Sequence, residues 1–448
     1  MFSDPKLEDS QKKFYYLKIL ICLNPIVFGL LVIFTDFVDY RGLYESGKYI
    51  SVAQNWLNSS SNFSERLPLY PLLIAFMFKI FGYNNLLALL IFQSFLGSLT
   101  FFFLIKTLEK LNLGNILIIL LTLLFNIAIN YRFTIFLPNG FFIFLITLFT
   151  YNFTSFFLSK NKKYFYFMSF FIFLMMLTRP IFQLSIFISF PIIIFFVLRQ
   201  HFSKILKFKL IAVLFLSYFL AISVQFARHY NVYEKFAYTS QSGFHFNEWL
   251  IPCISQKYGC GTRNIEVRKI IDERYKRVIS QGNYDEIEKS KIAFKIGVDY
   301  FFNEMDKKKV ALSILASYTK LLFHPTLTEM YPKINIEFKN FSLLEGNSFF
   351  EKFIILIKKT LSEFKYFLWS LSIFFIFILR FFQIVGIVSI FKNKNLSLYI
   401  LFIVSLIIVL LIPTIGMGNP RYRSEIEPLL LILGAVGIKS LIDKYKNN

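Results

Sequence analysis

Asp36, Asp39 and Glu45 fall within ten positions of one another, directly after the first apolar run. Tyr49, Ala53 and the run Arg66-Leu67-Pro68-Leu69-Tyr70-Pro71 follow them. Carboxylates at a lipid boundary are costly and call for a reason. A carboxylate takes the proton of an attacking hydroxyl, and arginine's planar fork grips phosphate oxygens in pairs while staying charged. Three further polar features carry arginine: Arg132 near Pro138-Asn139, Arg179-Pro180, and Gly418-Asn419-Pro420-Arg421-Tyr422-Arg423. A base and a phosphate clamp at the mouth of an apolar bundle suit a substrate whose leaving group is a lipid phosphate. Taken singly, each has a plainer account, as a solvated loop carboxylate or an arginine snorkelling to lipid headgroups. Arg421 and Arg423 weigh most, because arginines on the outer side run against the positive-inside bias.

The elements that must hold these residues are membrane helices. A mean hydropathy of +0.57 over 448 residues, 56% of them hydrophobic, describes an all-α polytopic membrane protein. The net charge of +22 reads as topology and not as nucleic-acid binding, since many lysines lie in short connections between apolar runs. The 60 phenylalanines fit lipid-facing positions in a chain of AT-rich coding bias. Cys22 falls in the first apolar run and is expected to be inert, whereas Cys253 and Cys260 share a polar segment where an oxidising compartment allows a disulfide.

Hydropathy and loop charge give a consistent map. Lys6, Lys12, Lys13 and Lys18 place the N-terminus inside, and a first, uncleaved span covers Tyr16 to Phe34. Pro68 to Gly82 is short and predicts an interfacial or re-entrant helix. Spans from Asn85 to Ile105, from Asn115 to Tyr131-Arg132, and back to Lys160-Asn161-Lys162-Lys163 follow. Tyr164 to Leu198 predicts a hairpin broken at Thr178-Arg179-Pro180, because proline disfavours helix at the preceding residue. Arg199, Lys204, Lys207 and Lys209 mark the inside again before a span from Leu210 to Arg228. His229 to Lys365 is polar and expected outside, with Ala311–Phe323 and Phe353–Ile357 at the interface. Tyr366–Phe391, Leu396–Ile415 and Ile426–Ile442 are the last spans. The expected organisation is an N-terminal membrane module over 1–228 with an outer loop at 35–82, an extracytoplasmic loop domain over 229–365, and C-terminal helices over 366–448. About ten spans result, within a range of about 9–13. Both chain ends are cytoplasmic on this map, and all four arginine features share the outer side.

These motifs resemble the first outer loop of GT-C membrane glycosyltransferases. The resemblance rests on Glu45-Ser46-Gly47-Lys48-Tyr49 with Ala53, on Arg66-Leu67-Pro68-Leu69-Tyr70-Pro71, and on Phe81-Gly82. More narrowly, the chain is similar to the protein O-mannosyltransferase and lipid A aminoarabinose transferase branch. Leu177-Thr178-Arg179-Pro180 resembles that branch's mid-chain Thr-Arg-Pro, and Arg421-Tyr422-Arg423 with Pro428 and Gly434 its C-terminal Arg-Tyr-Arg. The matches run from the first span to the last.

The resemblance implies an inverting single displacement at the outer face of the membrane, with a sugar on a polyprenyl phosphate as donor and a lipid, glycan or protein as acceptor. Glu45 stands where the family's catalytic aspartate usually stands; Asp39 is the next candidate base and Asp36 the third. Arg66, Arg179, Arg421 and Arg423 would bind the donor phosphate, and Tyr49, Tyr70, Asn139 and Tyr422 would line the substrate. Asn139 stands where a second acidic residue is common, which leaves a divalent metal without support, and no other cofactor is implied. Trp249, His245 and His324 belong to the loop domain expected over the acceptor. The setting implied is a bacterial inner membrane with the site facing the periplasm. Alternatives of a different class are a lipid-linked saccharide transporter or flippase, which calls for ionisable residues near helix centres, and an O-antigen polymerase or ligase.

Overall fold

The computed structural model describes residues 5–35, 44–58, 66–256, 264–325, 349–391, 394–415, 418 and 420–447. Among the described residues there is helix, turn and irregular chain but no strand. Asp36, Asp39 and Cys260 lie outside the described residues, as does the side chain of Glu45.

The chain opens with α1 (Pro5–Thr35), α2 (Tyr44–Leu57), α3 (Leu69–Phe81) and α4 (Leu86–Lys110). Close approach of α1 to α4 rests on small residues, the usual device where lipid offers no hydrophobic drive between helices. A Cβ on Gly29 would meet Ser94, and one on Gly97 would come within 2.8 Å of Pro25. Next come α5 (Asn115–Ile129), a 3₁₀ turn at Asn130–Phe133, α6 (Pro138–Ser159) and α7 (Lys162–Met176). Helix α6 is the centre of the molecule, in contact with α4 and α7 and 83% buried over its apolar window. Its phenylalanines depart from the lipid-facing expectation. Phe142, Phe149, Phe153 and Phe156 are enclosed, and Phe153 stacks on Tyr399 while Phe156 meets Phe165 and Phe196 edge-on. A helix surrounded on all sides needs large apolar volume everywhere, and aromatic rings supply it.

After α7 the expected break is present. Arg179 is extended (φ −135°, ψ 117°) ahead of Pro180, which starts a 3₁₀ turn, Pro180–Leu184. Helix α8 (Ser185–Ile188) and α9 (Phe190–Arg199) complete the return, with a bend of 43° between the segment Pro180–Ile188 and α9. The long α10 (Lys204–Tyr233) ends on Glu234 in the left-handed conformation.

A second, smaller core lies beyond α10. It packs α11 (Ser242–His245), a π-helical turn at Phe246–Leu250, α12 (Ile251–Ile254), α13 (Ile265–Ile279), α14 (Glu286–Asn303) and α15 (Lys307–Phe323) around Ile251, Ile254, Val267, Ile271, Tyr300 and Val310. Gly243 is required where α11 crosses α14, since a Cβ there would sit 1.8 Å from the Ser290 carbonyl oxygen. The N-terminus of α14 carries a capping box between Asp285 and Glu288, and Lys235 donates to both carboxylates at 2.6 Å. Those bonds raise the Lys235 ammonium, first through Asp285 and then Glu288. Burial pushes Asp285 up, but the bonds from Lys235 and from the Glu288 amide outweigh it and hold the carboxyl low; Glu288 is lowered chiefly by Lys235. Cys253 is disulfide-bonded and Cys22 is free.

The chain closes with α16 (Phe349–Ser362), α17 (Phe364–Val388), α18 (Lys394–Leu411) and α19 (Pro420–Asn447). Helices α17 and α19 form the most intimate pair, because Gly386 and Gly437 admit the facing backbones: a Cβ on either would lie about 2 Å from Leu433 or Phe382 carbonyl oxygen.

Among the described residues five helices are long and apolar enough to cross a bilayer, namely Gln11–Phe34, Leu86–Lys110, Pro138–Ser159, Lys204–Tyr233 and Phe364–Phe391; the bent pair at Pro180–Arg199 makes up to six. Leu69–Phe81, Asn115–Leu124 and Leu396–Leu411 are apolar but shorter. The protein is thus a helical membrane protein.

Lysines gather at one end of the bundle. Lys18 and Lys106 pair with Glu109 at the end of α4, and Lys110 lies over the rings of Tyr151 and Tyr164. Lys160 lies over Phe157 and Phe196, and Lys439 donates to the Leu111 carbonyl at 2.8 Å. The opposite end holds Arg66, Arg132, Arg179, Arg228, Arg421 and Arg423.

Candidate functional site

The arginine end is assembled from several separate pieces of chain. The first is the turn before α3. Leu69 N donates to Leu177 O at 3.2 Å, which fixes this turn against the last residues of the α7 unit, next to Arg179. Tyr70 is enclosed, accepts from Gln93 at 2.9 Å, and meets the ring of Tyr49 edge-on at 5.4 Å. The Arg66 guanidinium lies 5.0 Å over that Tyr49 ring, a cation–π arrangement that helps to orient it. Arg228, from the end of α10, donates to the Arg66 carbonyl at 3.2 Å and to Gln225 at 3.0 Å. Two arginines from distant segments are therefore brought to one place.

The second group meets around one carboxylate. Asn139, in the first turn of α6, donates to Glu425 of α19 at 2.5 Å, and Arg421 Nε donates to the Asn139 oxygen at 3.3 Å. Arg179 forms an ion pair with the same Glu425 oxygen. Glu425 is only 6% exposed, so its charge needs these partners: breaking a buried pair by removing one side costs about 3–5 kcal/mol. The ring of Phe141, two residues beyond Asn139, lies 6.3 Å from Tyr70, which joins this group to the first. Arg421 lies 5.9 Å over the ring of Tyr422, and both residues are half-buried. Arg132 is buried in the 3₁₀ turn beneath Asn139, and its carbonyl packs on Gly140, where a Cβ would approach to 2.7 Å.

Arg423 lies behind this front. It is 1% exposed, forms a 2.6 Å ion pair with Glu427, and donates to the carbonyls of Leu321, Leu322 and His324 at 3.2, 3.1 and 2.7 Å. Arg380 of α17 reaches the Leu322 carbonyl at 3.1 Å, Gln383 at 2.5 Å and Glu427 at 3.4 Å. The last carbonyls of a helix have no partner within it and carry partial negative charge. Two arginines from two other helices thus cap the C-terminus of α15, with Glu427 balancing one of their charges. Trp249 lies half-buried in the π-helical turn, and His245 is exposed at the end of α11.

The structure therefore brings together Arg66, Tyr49, Tyr70, Asn139, Arg179, Arg421 and Tyr422, and sets Arg423 among backbone carbonyls. Glu45 lies on α2, one turn before Tyr49. Glu425, Glu427, Arg380 and Arg228 are the members that the motifs did not single out. Among the described residues no three His, Cys, Asp or Glu side chains stand close enough to share a metal ion. The front is a set of cationic and amide donors around one buried carboxylate, suited to holding an anionic group at the end of an apolar bundle. In comparisons with known proteins, no family model and no curated sequence matches this chain.

Proposed function

We propose that the protein is a membrane glycosyltransferase that moves a sugar from a polyprenyl-phosphate donor to a lipid, glycan or protein acceptor. Glu45 or Asp39 takes the proton from the acceptor hydroxyl as its oxygen attacks the anomeric carbon. The bond from that carbon to phosphate oxygen breaks, and the lipid phosphate leaves with the electron pair. Arg66, Arg179 and Arg421 hold the developing charge; a preorganised donor of this kind is worth about 2.7–4 kcal/mol elsewhere. Arg423 has a positioning role, since its Nη1 donates to the end of α15 and its charge is paired with Glu427. The observation that carries the reading is the meeting of Arg66, Arg179, Arg421 and Asn139 at the end of the bundle opposite the lysines.

In this reading the shorter apolar helices complete a set of about ten spans. The lysine end faces the cytoplasm by the positive-inside rule, and the arginine end faces the periplasm of a bacterial inner membrane. No metal is assigned a role.

A second reading has one observation in its favour. Arg380, Arg423 and Glu427 form a buried ionisable network within α17 and α19, of the sort that marks a transport path for a lipid-linked saccharide. Two assays on the purified protein in vesicles separate the two. One follows transfer of radiolabelled sugar from a panel of polyprenyl-phosphate sugars to acceptors on the arginine side. The other follows donor movement between leaflets. Transfer without leaflet exchange supports the enzyme; exchange without transfer supports the transporter.

A further inference from the structure

The lysine end contains a cavity that the reaction does not use. It has a volume of about 800 Å³ and opens between the ends of α4, α6 and α17, the start of α18 and the last turns of α19. Cavities of about 300–1,000 Å³ bury molecules of drug size. This one has two zones. Leu158, Val385, Val388 and Leu396 make an apolar wall, and Lys110, Lys439, Lys444 and Asp443 supply the charges, leaving two positive charges in excess. Val388 is 44% exposed, so the apolar zone reaches the surface of the bundle where acyl chains lie. The cationic zone is held in place from two directions. Lys439 is tied to the Leu111 carbonyl at 2.8 Å, and Lys110 rests over two tyrosine rings at 5.4 and 5.5 Å.

We propose that this cavity binds one membrane phospholipid with an anionic headgroup, its phosphate between Lys110, Lys439 and Lys444 and the upper part of one acyl chain along Val385, Val388 and Leu396. The two-zone lining decides for a lipid over a free anion. An inorganic phosphate would use the lysines but leave the apolar wall hydrated, whereas an uncharged lipid would fill the wall and leave the excess charge unmatched. Basic pockets between helices at an inner membrane surface suit anionic headgroups, each lysine contributing about 1 kcal/mol there. The site is remote from the arginine end, so it stands or falls independently of the transferase reading. Its effect on the fold is to join α17 and α19, the glycine-mediated pair, to α4 and α6 through a shared ligand.

The test is binding to the full chain in detergent, followed by native mass spectrometry and by the shift in thermal midpoint. The probes are dihexanoyl phosphatidylglycerol, dihexanoyl phosphatidylcholine and inorganic phosphate. Phosphatidylglycerol is expected to bind and raise the midpoint, with the other two well below it. The double variant Lys110→Gln/Lys444→Gln is expected to weaken phosphatidylglycerol binding by about tenfold or more. Lys439 is left intact because it also holds Leu111. Val388→Trp, at a half-exposed position, fills the apolar zone without touching a lysine and is expected to reduce binding of the same lipid. Equal binding of phosphatidylcholine would make the occupant an ordinary boundary lipid and overturn the proposal. So would binding of phosphate at the level of the lipid, or lipid binding unchanged in both variants.

Discussion

The side-chain amide of Asn139 donates to the carboxylate of Glu425 at 2.5 Å, across 286 positions of the chain. The resemblance implies an acid at position 139, and the structure places an acid against it from the last helix instead. Arg179 shares that carboxylate. A double-mutant cycle tests whether the pair acts as a unit. Arg179→Gln and Glu425→Gln should each destabilise the protein, and the double variant should recover part of the loss, with a coupling of about 0.5–3 kcal/mol. Additive losses in thermal unfolding would mean that the contact carries no energy.

Helix α15 should depend on two arginines that belong to other helices. Replacing Arg423 by Met takes a donor from the Leu321 and His324 carbonyls, leaves Leu322 to Arg380 alone, and deprives Glu427 of its nearest partner. The expected result is faster amide exchange over Lys307–Phe323, with a loss of about 3–5 kcal/mol. Exchange confined to the start of α19 would place the role of Arg423 elsewhere.

The crossing of α17 and α19 makes a sharper prediction about size. Gly437→Ala puts a methyl 2.0 Å from the Phe382 carbonyl oxygen, whereas Gly434→Ala meets only Gln383 Cγ at 3.7 Å. The first should cost about 1–3 kcal/mol by overpacking. The second should be near neutral or mildly stabilising, since alanine is the better helix former. Equal effects would contradict the close approach.

The smaller core carries a pH signature. Asp285 and Glu288 are lowered, so their contribution is complete above the ordinary carboxylate range and is lost as pH falls through their folded values. Lys235 is raised, so its contribution is complete below the ordinary lysine range and is lost at more alkaline pH. Protection of the first turn of α14 should therefore be level between about pH 5 and pH 10 and fall on both sides. In Lys235→Met both limbs should shrink when amide exchange is compared at matched pH. An unchanged acid limb would assign it to other groups.

What the sequence made legible was local or collective. Proline alone dictates that Arg179 leaves the helix, and the structure has it extended there. The lysines of many short connections, read together, put one charge sign at one end. Long-range partnership was not legible, because no local rule joins position 139 to position 425. Glu425 and Glu427 did leave a trace: they follow Arg421 and Arg423 at the four-residue spacing of helical ion pairs. Arg423 and Glu427 do pair that way, but Glu425 turns to Arg179 instead. Arg380 was the plainest missed signal, a lone cation inside an apolar run. The span count was the hardest part to read, since α3, with 13 residues, and α5, with 15, are apolar but short for a full crossing.

The central claim is best tested on the carboxylates of the first outer loop. Transfer of radiolabelled sugar from the polyprenyl-phosphate donor that the wild type uses would be measured for wild type, Glu45→Gln and Asp39→Asn in the same membranes. Loss of transfer in one of the two variants, with binding of prenyl phosphate retained, is the predicted result and identifies the base. Undiminished transfer in both, or prenyl-phosphate binding with no turnover of any donor by the wild type, would contradict a carboxylate-assisted displacement at this site.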